Sequence, residues 1–315
     1  MRVLVTGATG FLGSYMARHL QERGDEVVAT QFEDGRPYAL PLAPGVTYER
    51  LDVRDPKAVE ALVRRVAPEE VYHFAGQAFV MRSWEEPRLT YETNLTGTLN
   101  LLDAVRAAGV SAAIGFAGSA TEYGAPERVP TPETATYAPQ SPYGASKVAA
   151  DLLCRLYFER YGMRILRFRI FGTTGPGKLG DSSNDFASQV AALERHGKPG
   201  VLRVGNIDTR RDISDVRDAV RAMTLVVAKG TAGEAYNIAR GEARSIRENV
   251  DALVRLAAVP IRVEVVEERR RPLDEPVHWA DVSKVRALGW TPQFSITDTL
   301  KEILDHWRRK PATAT

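Results

Sequence analysis

The chain has 315 residues, of which 44% are hydrophobic and 26% are charged, which predicts a globular protein of about two domains. Its 42 basic and 40 acidic residues leave a net charge of +2, which argues against a strongly basic nucleic-acid-binding protein, so we expect no nucleic-acid partner. The single cysteine, Cys154, favours a reducing compartment, and the absence of signal-peptide features and of any run of about 18 apolar residues predicts a cytoplasmic protein without a membrane partner.

Strand and helix patterns alternate along the first 172 residues. Short apolar, β-branched runs predict strands, and segments with helical spacing predict helices that end at glycines such as Gly24 and Gly109. Asp55 followed by Pro56 is typical of a helix start. The six predicted strands lie in the segments RVLVT, EVVAT, VTYERLDV, EVYHFAG, AAIGFAGS and RILRFRIFG. This alternation predicts an α/β fold, a Rossmann-type doubly wound parallel sheet whose ligands bind at the carboxyl ends of the strands.

The first strand leads into the segment TGATGFLG, which contains three spaced glycines. Gly7 permits a tight turn, Gly10 lets main-chain amides approach a pyrophosphate, and Gly13 lets the helix pack closely on the strand. The positive end of the helix also favours an anion at this point. We therefore predict a dinucleotide-binding loop that includes Gly7, Thr9, Gly10, Phe11 and Leu12.

The end of the second strand leaves the choice of dinucleotide open. An acidic residue at this point would hold the ribose 2′-hydroxyl of NAD, but the strand ends at Gln31. No arginine follows the strand directly either, and Arg36 is the nearest. The cofactor is therefore predicted as NAD or NADP. Asp52 and Val53, after the third strand, are suited to an adenine pocket.

A tyrosine and a lysine stand four residues apart at the start of a predicted helix, in the segment SPYGASK. Because residues four apart share a helix face, we expect the Lys147 ammonium to point toward the Tyr143 phenol. A nearby cation favours the phenolate and lowers the phenol's pKa, so that Tyr143 could exchange a proton with a carbonyl or an alcohol. Lys147 could also bind the nicotinamide ribose, and Ser119, at the end of the fifth strand, faces the same crevice.

After Gly172 the alternation loosens. A loop of sequence GTTGPGKLGDSSND precedes a helix predicted from Phe186, and short helices and strands then mix. We predict a smaller, mostly C-terminal α/β domain that binds the substrate. The predicted division is 1–171 with about 207–238 for the dinucleotide-binding domain, 172–206 with 239–309 for the substrate domain, and 310–315 for a tail.

These motifs together resemble those of the extended short-chain dehydrogenase/reductases that act on nucleotide sugars. The matching segments run in order over nearly the whole chain: TGATGFLG, LDVRD, YHFAGQA, NLTGTLNLLDA, SATEYG, SPYGASK, RRDISDVRD and ADVSKVRALGW. The resemblance implies a nucleotide-sugar substrate, a homodimer, and catalytic roles for Ser119, Tyr143 and Lys147. It also implies that Asn94 has a structural or catalytic role.

Further binding residues are predicted on the same basis, and no metal is expected. The predicted cofactor contacts include Phe74, Ala75, Gly76, Gln77, Asn94, Tyr143 and Lys147. The predicted substrate contacts are Gln77, Ser83, Ser119, Thr121, Asn184, Arg211 and Arg271. In this family an arginine of the last cluster would meet a diphosphate, as the planar guanidinium suits.

Three segments favour a GDP-linked sugar. GQAFVMRSWEEP, VGNIDTRRDISDVRDAVRAM and RRRPLDEP resemble the GDP-4-keto-6-deoxy-D-mannose reductases and, less closely, the GDP-mannose 4,6-dehydratases. Dehydratases also need an acid two residues after the catalytic hydroxyl, where this chain has Thr121, and Glu122 would face away from the site in an extended segment.

We predict a reductase of a GDP-4-keto-6-deoxyhexose. SATEYG is also close to the 4-epimerases, so an epimerase that retains NAD is the alternative, and a non-catalytic nicotinamide-sensing protein is an alternative of another class. One position departs from the family pattern, because Gly172 stands where the family usually has asparagine. This predicts a lost polar contact or room for a bulkier substrate.

Overall fold

A computed structural model describes residues 1–32, 41–269 and 277–310, which alternate between strands and helices. In chain order the strands are β1 (Arg2–Thr6), β2 (Glu26–Gln31), β3 (Thr47–Arg50), β4 (Glu70–His73), β5 (Ala113–Ala117), β6 (Ile165–Ile170), β7 (Gly172–Thr174), β8 (Gly200–Val204), β9 (Arg210–Asp215), β10 (Ala235–Ile238), β11 (Ala243–Ser245), β12 (Ile261–Val265) and β13 (Val277–His278). The helices are α1 (Phe11–Glu22), α2 (Pro56–Val66), α3 (Val80–Glu85), α4 (Pro87–Tyr91), α5 (Gly97–Ala108), α6 (Pro142–Tyr161), α7 (Ser182–His196), α8 (Val216–Lys229), α9 (Ile246–Leu256), α10 (Ser283–Ala287) and α11 (Ile296–Arg309).

Seven of these strands form one parallel sheet in the order β10-β6-β5-β4-β1-β2-β3. The order reverses between β1 and β4, so the carboxyl ends of these two strands open a crevice for ligands. Strands β4 and β5 are buried along their whole length, as expected for a sheet that is covered on both faces. The predicted doubly wound α/β fold is confirmed.

Helices cover both faces of this sheet, and a separate apolar cluster lies on each face. On one face α1 and α8 contribute buried side chains such as Met16 and Met223. On the other face α2, α5 and α6 contribute Leu62, Leu101 and Cys154. The Cys154 thiol is fully buried among apolar neighbours. The α1 and α6 helices are thereby held with their N-termini at the carboxyl edge of the sheet.

The remaining strands form two smaller sheets. One sheet has the order β11-β9-β13 with β7 also paired to β9, and the other joins β12 to β8. Helices α7, α9 and α11 enclose a third apolar cluster beside them. The predicted division into domains stays a prediction; within 207–238, β9 pairs in the smaller sheet, whereas β10 lies in the main sheet.

Local details differ from the predicted elements. The predicted helix that ends at Gly109 is interrupted by a π-helical turn, Glu92–Thr96, between α4 and α5. Helix α7 starts at Ser182 rather than Phe186, because Asp181 caps it by accepting the main-chain N–H of Asn184. No helix among the described residues is long and apolar enough to span a bilayer.

Candidate active site

The loop between β1 and α1 has the shape that a dinucleotide pyrophosphate requires. Gly7 has a φ of 68°, and a Cβ on it would lie 2.7 Å from the main-chain nitrogen of Ala75. A Cβ on Gly13 would lie only 2.2 Å from the carbonyl oxygen of Gly7. No side chain of the described residues caps the N-terminus of α1, so its first amides stay available to an anion. The predicted loop residues occupy this turn and the first helical positions, and the loop fits a dinucleotide.

An arginine, an aromatic ring and an aspartate meet at the ends of β2 and β3. The Nη2 of Arg54 donates to Asp52 Oδ2 at 2.6 Å, and its Nε donates to Oδ1 at 2.9 Å. These bonds hold the pKa of Asp52 below its usual range. The Arg54 guanidinium also lies 5.3 Å from the ring centroid of Phe32, which follows Gln31. The Gln31 Oε1 is buried without a hydrogen-bond partner among the described residues, which leaves a polar group beside the expected ribose position.

The adenine-pocket residues differ in their surroundings. The Asp52 carboxylate is partly exposed, whereas Val53 is buried under α5. A Cβ on Gly97 of α5 would lie 2.7 Å from Val53 Cγ2, so this glycine allows the close approach. The cap of α2 is Asp55, as predicted, because its carboxylate accepts the main-chain N–H groups of Lys57 and Ala58.

The segment after β4 is tied to α6 through the π-helical turn. Asn94 accepts the main-chain N–H of Gln77 at 2.8 Å and donates to the Gln77 carbonyl at 3.1 Å. The same amide donates to Ser146 Oγ at 3.0 Å. The Gln77 side chain in turn donates to Thr90 Oγ1. Asn94 therefore positions this loop against the helix that bears Tyr143, while Phe74 and Ala75 are half-buried and Gly76 is exposed.

Ser119 and Tyr143 meet at the carboxyl edge of the sheet. Ser119 follows β5 and starts a 3₁₀ turn, Ala120–Glu122, while Tyr143 is the second residue of α6. The Ser119 Oγ accepts from Thr121 Oγ1 at 2.9 Å and lies close enough to the Tyr143 phenol to lower its pKa. The predicted serine and tyrosine are thus brought together, next to Thr121.

The prediction that the Lys147 ammonium lowers the pKa of the Tyr143 phenol is wrong. Burial raises the pKa of Tyr143 to about 12, although the Ser119 hydroxyl beside the phenol opposes this. The Lys147 ammonium instead donates to the Ala117 carbonyl at 2.7 Å and lies 5.4 Å from the ring centroid of Phe116. Burial lowers the pKa of Lys147 to about 8. A Cβ on Gly76 would lie 3.6 Å from Nζ, so the ammonium faces the crevice.

A cluster of buried charges lies behind this catalytic loop. Glu122 is fully buried, and its Oε1 accepts the main-chain N–H of Ser119 at 2.7 Å. It is turned into the protein interior by a 3₁₀ turn rather than by the extended segment that was expected. Arg169 lies 3.4 Å from its Oε2 and 3.5 Å from the carboxylate of Asp151, which is also paired with Arg167. Sequence reasoning missed this cluster, although Ser-x-x-Glu is the spacing of a capping box.

Three of the predicted substrate residues are occupied with structural contacts. Ser83 is fully buried and donates to the Val80 carbonyl at 2.6 Å. The Asn184 amide donates to the Gly175 carbonyl at 3.0 Å, and its oxygen accepts from Trp307 Nε1 at 3.0 Å. Arg211 is half-buried on β9 and donates to the main chain.

The other substrate predictions have different outcomes. Arg271 lies outside the described residues. A Cβ on Gly172 would lie 2.7 Å from the Asp212 carbonyl oxygen, so this glycine is explained by the close pairing of β7 with β9. Within the described residues, no group of histidine, cysteine and acidic side chains could hold a metal ion. The substrate roles therefore stay predictions.

Comparisons with known proteins agree with this arrangement. A sequence model of the GDP-mannose 4,6 dehydratase family matches residues 4–303. GDP-6-deoxy-D-mannose reductase of Pseudomonas aeruginosa is 32% identical over 316 aligned positions, which cover 98% of each chain. The structure of RMD from P. aeruginosa complexed with NADPH gives a TM-score of 0.83 at 29% identity, covering 98% of this chain and 99% of that one. UDP-glucose 4-epimerase of Thermus thermophilus in complex with NAD gives 0.85 at 33% identity, again covering 98% and 99%. The chain therefore belongs to the GDP-mannose 4,6 dehydratase family, among the extended short-chain dehydrogenase/reductases.

Proposed function

We propose that this protein is an NAD(P)-dependent enzyme that reduces the C4 ketone of a GDP-4-keto-6-deoxyhexose. The observation on which this rests is the meeting of Ser119 and Tyr143 at the same sheet edge as the glycine loop, with the Lys147 ammonium held nearby by the Ala117 carbonyl and next to Gly76. The similarity to a GDP-6-deoxy-D-mannose reductase over the whole chain supports the choice of substrate class.

Each of the three residues has a distinct role in this proposal. When bound, the dinucleotide supplies hydride to C4 of the sugar. Tyr143 donates its phenolic proton to the ketone oxygen, so that the ketone becomes a secondary alcohol. Ser119 orients the ketone by a hydrogen bond, and its own oxygen is held by Thr121. Lys147 binds the nicotinamide ribose with its ammonium group. The raised pKa of Tyr143 keeps the phenol protonated at neutral pH, as a proton donor requires.

Dehydration is disfavoured at this site. A 4,6-dehydratase needs an acid where this chain has Thr121, whose hydroxyl donates to Ser119. The neighbouring carboxyl group of Glu122 is bonded to the main chain of Ser119 and is fully buried. It cannot reach a sugar in the crevice without breaking that bond.

A 4-epimerase is the second candidate, because a UDP-glucose 4-epimerase superposes on the whole chain at 33% identity. Accounting for the nicotinamide separates the two reactions. A reductase consumes one reduced nicotinamide per sugar, whereas an epimerase returns the hydride and consumes none. We expect GDP-4-keto-6-deoxymannose to oxidise NADPH or NADH in a ratio of one to one with the alcohol formed.

Two other results would replace the proposal. Interconversion of nucleotide sugars at C4 without net oxidation, with NAD retained through gel filtration, would establish the epimerase. Tightly bound dinucleotide without turnover of any nucleotide sugar would favour a sensing protein.

We also propose that the chain forms a homodimer through α4 and α6. Leu152, Leu156 and Tyr161 of α6 and Tyr91 of α4 are exposed apolar or aromatic side chains on these helices. Light scattering after size exclusion tests this, and we expect Leu156→Glu to yield a monomer, since Leu156 is 58% exposed. A monomeric wild-type chain at micromolar concentration would refute it.

A further inference from the structure

A carboxyl group lies directly beneath the catalytic loop and does not take part in the chemistry described above. Glu122 has no exposed surface, and its Oε1 accepts the Ser119 N–H at 2.7 Å. The main chain of Gly118 leaves room for this group, because a Cβ there would lie 2.5 Å from the same oxygen. The carboxyl group therefore sets the position of the residue whose hydroxyl meets Tyr143.

The second carboxyl oxygen of Glu122 lies near the positive charge of Arg169 without a well-formed hydrogen bond to it. Oε2 of Glu122 lies 3.4 Å from Arg169 Nε, and neither atom has a hydrogen-bond partner among the described residues. Arg169 is shared with Asp151, whose carboxylate lies 3.5 Å from Nη2 of the same guanidinium. The titratable and charged groups that face Glu122 are Tyr143, Lys147, Asp151 and Cys154 of α6, Arg169 of β6 and the adjacent Tyr123. Arg169 is shared between the carboxyl groups of Glu122 and Asp151, and its single positive charge does not neutralise both. Arg167 adds a second positive charge, which pairs with Asp151.

We propose that Glu122 is a positioning residue of the active site: it fixes the main chain of Ser119, and its carboxylate, once ionised, favours the ammonium form of Lys147, which is bonded to Ala117 at the end of β5. The test of this role by the rate of ketone reduction rests on the proposed function. The chain also contains a matched case without these neighbours. Glu248 closes the same type of capping box with Ser245 at the start of α9, where it is exposed. If Glu122 served only as a cap, its replacement should have the same effect as the replacement of Glu248.

The charge of Glu122 predicts a specific pH effect. Burial lowers the pKa of Lys147 to about 8, and ionised Glu122 opposes this shift. Burial and Asp151 raise the pKa of Glu122 while Arg169 lowers it, so the Glu122 carboxylate becomes ionised as the pH rises through the range in which Lys147 loses its proton. Glu122→Gln removes the negative charge but keeps an oxygen that can accept from Ser119. The pKa of Lys147 should then fall further, and its ammonium should be lost at lower pH.

The first experiment measures binding of reduced dinucleotide by its fluorescence across neutral and alkaline pH, which requires no sugar. The Lys147→Met variant identifies which part of the pH profile belongs to the lysine. In Glu122→Gln we expect the alkaline loss of binding to move down by about half a pH unit or more. Glu248→Gln should leave the profile unchanged. The proposal is overturned if Glu122→Gln keeps the wild-type profile or if the control variant shifts equally.

The second experiment measures ketone reduction and thermal unfolding. Glu122→Ala removes the acceptor, so Ser119 can move; we expect kcat to fall about tenfold or more with little change in KM for the dinucleotide. Glu122→Gln should recover most of this kcat at neutral pH and unfold near the wild-type temperature. Wild-type kcat in Glu122→Ala would overturn the positioning role.

The two experiments have different points of failure. If Glu122→Ala does not fold, the measurements on Glu122→Gln decide whether the proposal holds. If the wild-type chain reduces no nucleotide sugar, the proposed function fails while the binding profile still tests Glu122.

Discussion

Arg54 allows a direct test of which dinucleotide the chain prefers. Its guanidinium stacks on Phe32, next to the strand end at which the adenine ribose is expected, and there Gln31 replaces the acid that would select NAD. Its Nε and Nη2 hold Asp52, whereas Nη1 makes no hydrogen bond to the described residues. This nitrogen can donate to a 2′-phosphate. We therefore expect NADPH to bind more tightly than NADH, and Arg54→Ala to remove much of the difference.

The size of the effect follows from the exposure of the arginine. A hydrogen bond to a charged group contributes about 1.5–3 kcal/mol, and about 1.4 kcal/mol is a factor of ten in affinity. The Arg54 side chain is 32% exposed and shares its charge with Asp52, which favours the lower end of this range. We expect Arg54→Ala to weaken NADPH binding about tenfold and to change NADH binding little.

Fluorescence titration of both reduced dinucleotides measures this ratio without any sugar substrate. Arg64→Ala is the matched control, because Arg64 is an exposed arginine of α2 that pairs with Glu60 rather than with Asp52. Gln31→Asp should act in the opposite sense, since a carboxylate at the strand end repels a phosphate and accepts from a hydroxyl. Equal losses for NADPH and NADH in Arg54→Ala, or no loss for either, would refute the reasoning.

Tyr143→Phe removes the transferable proton, so turnover should fall about 10²-fold or more, while fluorescence titration should show unchanged dinucleotide binding; near-normal turnover would remove Tyr143 from the mechanism. Lys147→Ala should reduce both turnover and dinucleotide affinity, and an effect on turnover alone would contradict its role at the ribose. Because Thr121 is no carboxylate, GDP-mannose with NAD should yield no 4-keto-6-deoxy product by mass spectrometry, and its appearance would mean that another group acts as the base. Gly13→Ala places a Cβ 2.2 Å from the Gly7 carbonyl oxygen and should weaken dinucleotide binding and lower the unfolding temperature, whereas an unchanged variant would show that the loop can shift.

The parts of the fold that depend on local patterns could be predicted from the sequence. Strand and helix alternation was sufficient for the parallel sheet, because most of its strands are short apolar runs that alternate with helices, one of which has a clear cap at Asp55. The glycine spacing was sufficient for the dinucleotide loop, because the close approaches at Gly7 and Gly13 exclude any side chain. Three residues of the site were likewise placed at one sheet edge by the end of β5 and the start of α6.

The interactions of long side chains could not be predicted in this way. Helical spacing shows that Tyr143 and Lys147 share a face, but it does not show that the ammonium reaches the Ala117 carbonyl. The orientation of Glu122 depends on a 3₁₀ turn that the alternation of strands does not reveal. The contact between Asn184 and Trp307 joins residues 123 positions apart, which only the tertiary fold brings together.

Phe171 is the one residue between β6 of the main sheet and β7 of the smaller one. It is 4% exposed and stacks on His278 with the ring centroids 4.8 Å apart. At this crossing the polypeptide passes between the sheets without a loop that could act as a hinge. For the proposed function, we expect evolution to alter which sugar is accepted by remodelling the surrounding loops, while this junction keeps the spacing between the proposed catalytic groups and the proposed substrate domain. Laboratory selection for new sugars should have most success with libraries in the loop 175–181 and least with substitutions at Phe171.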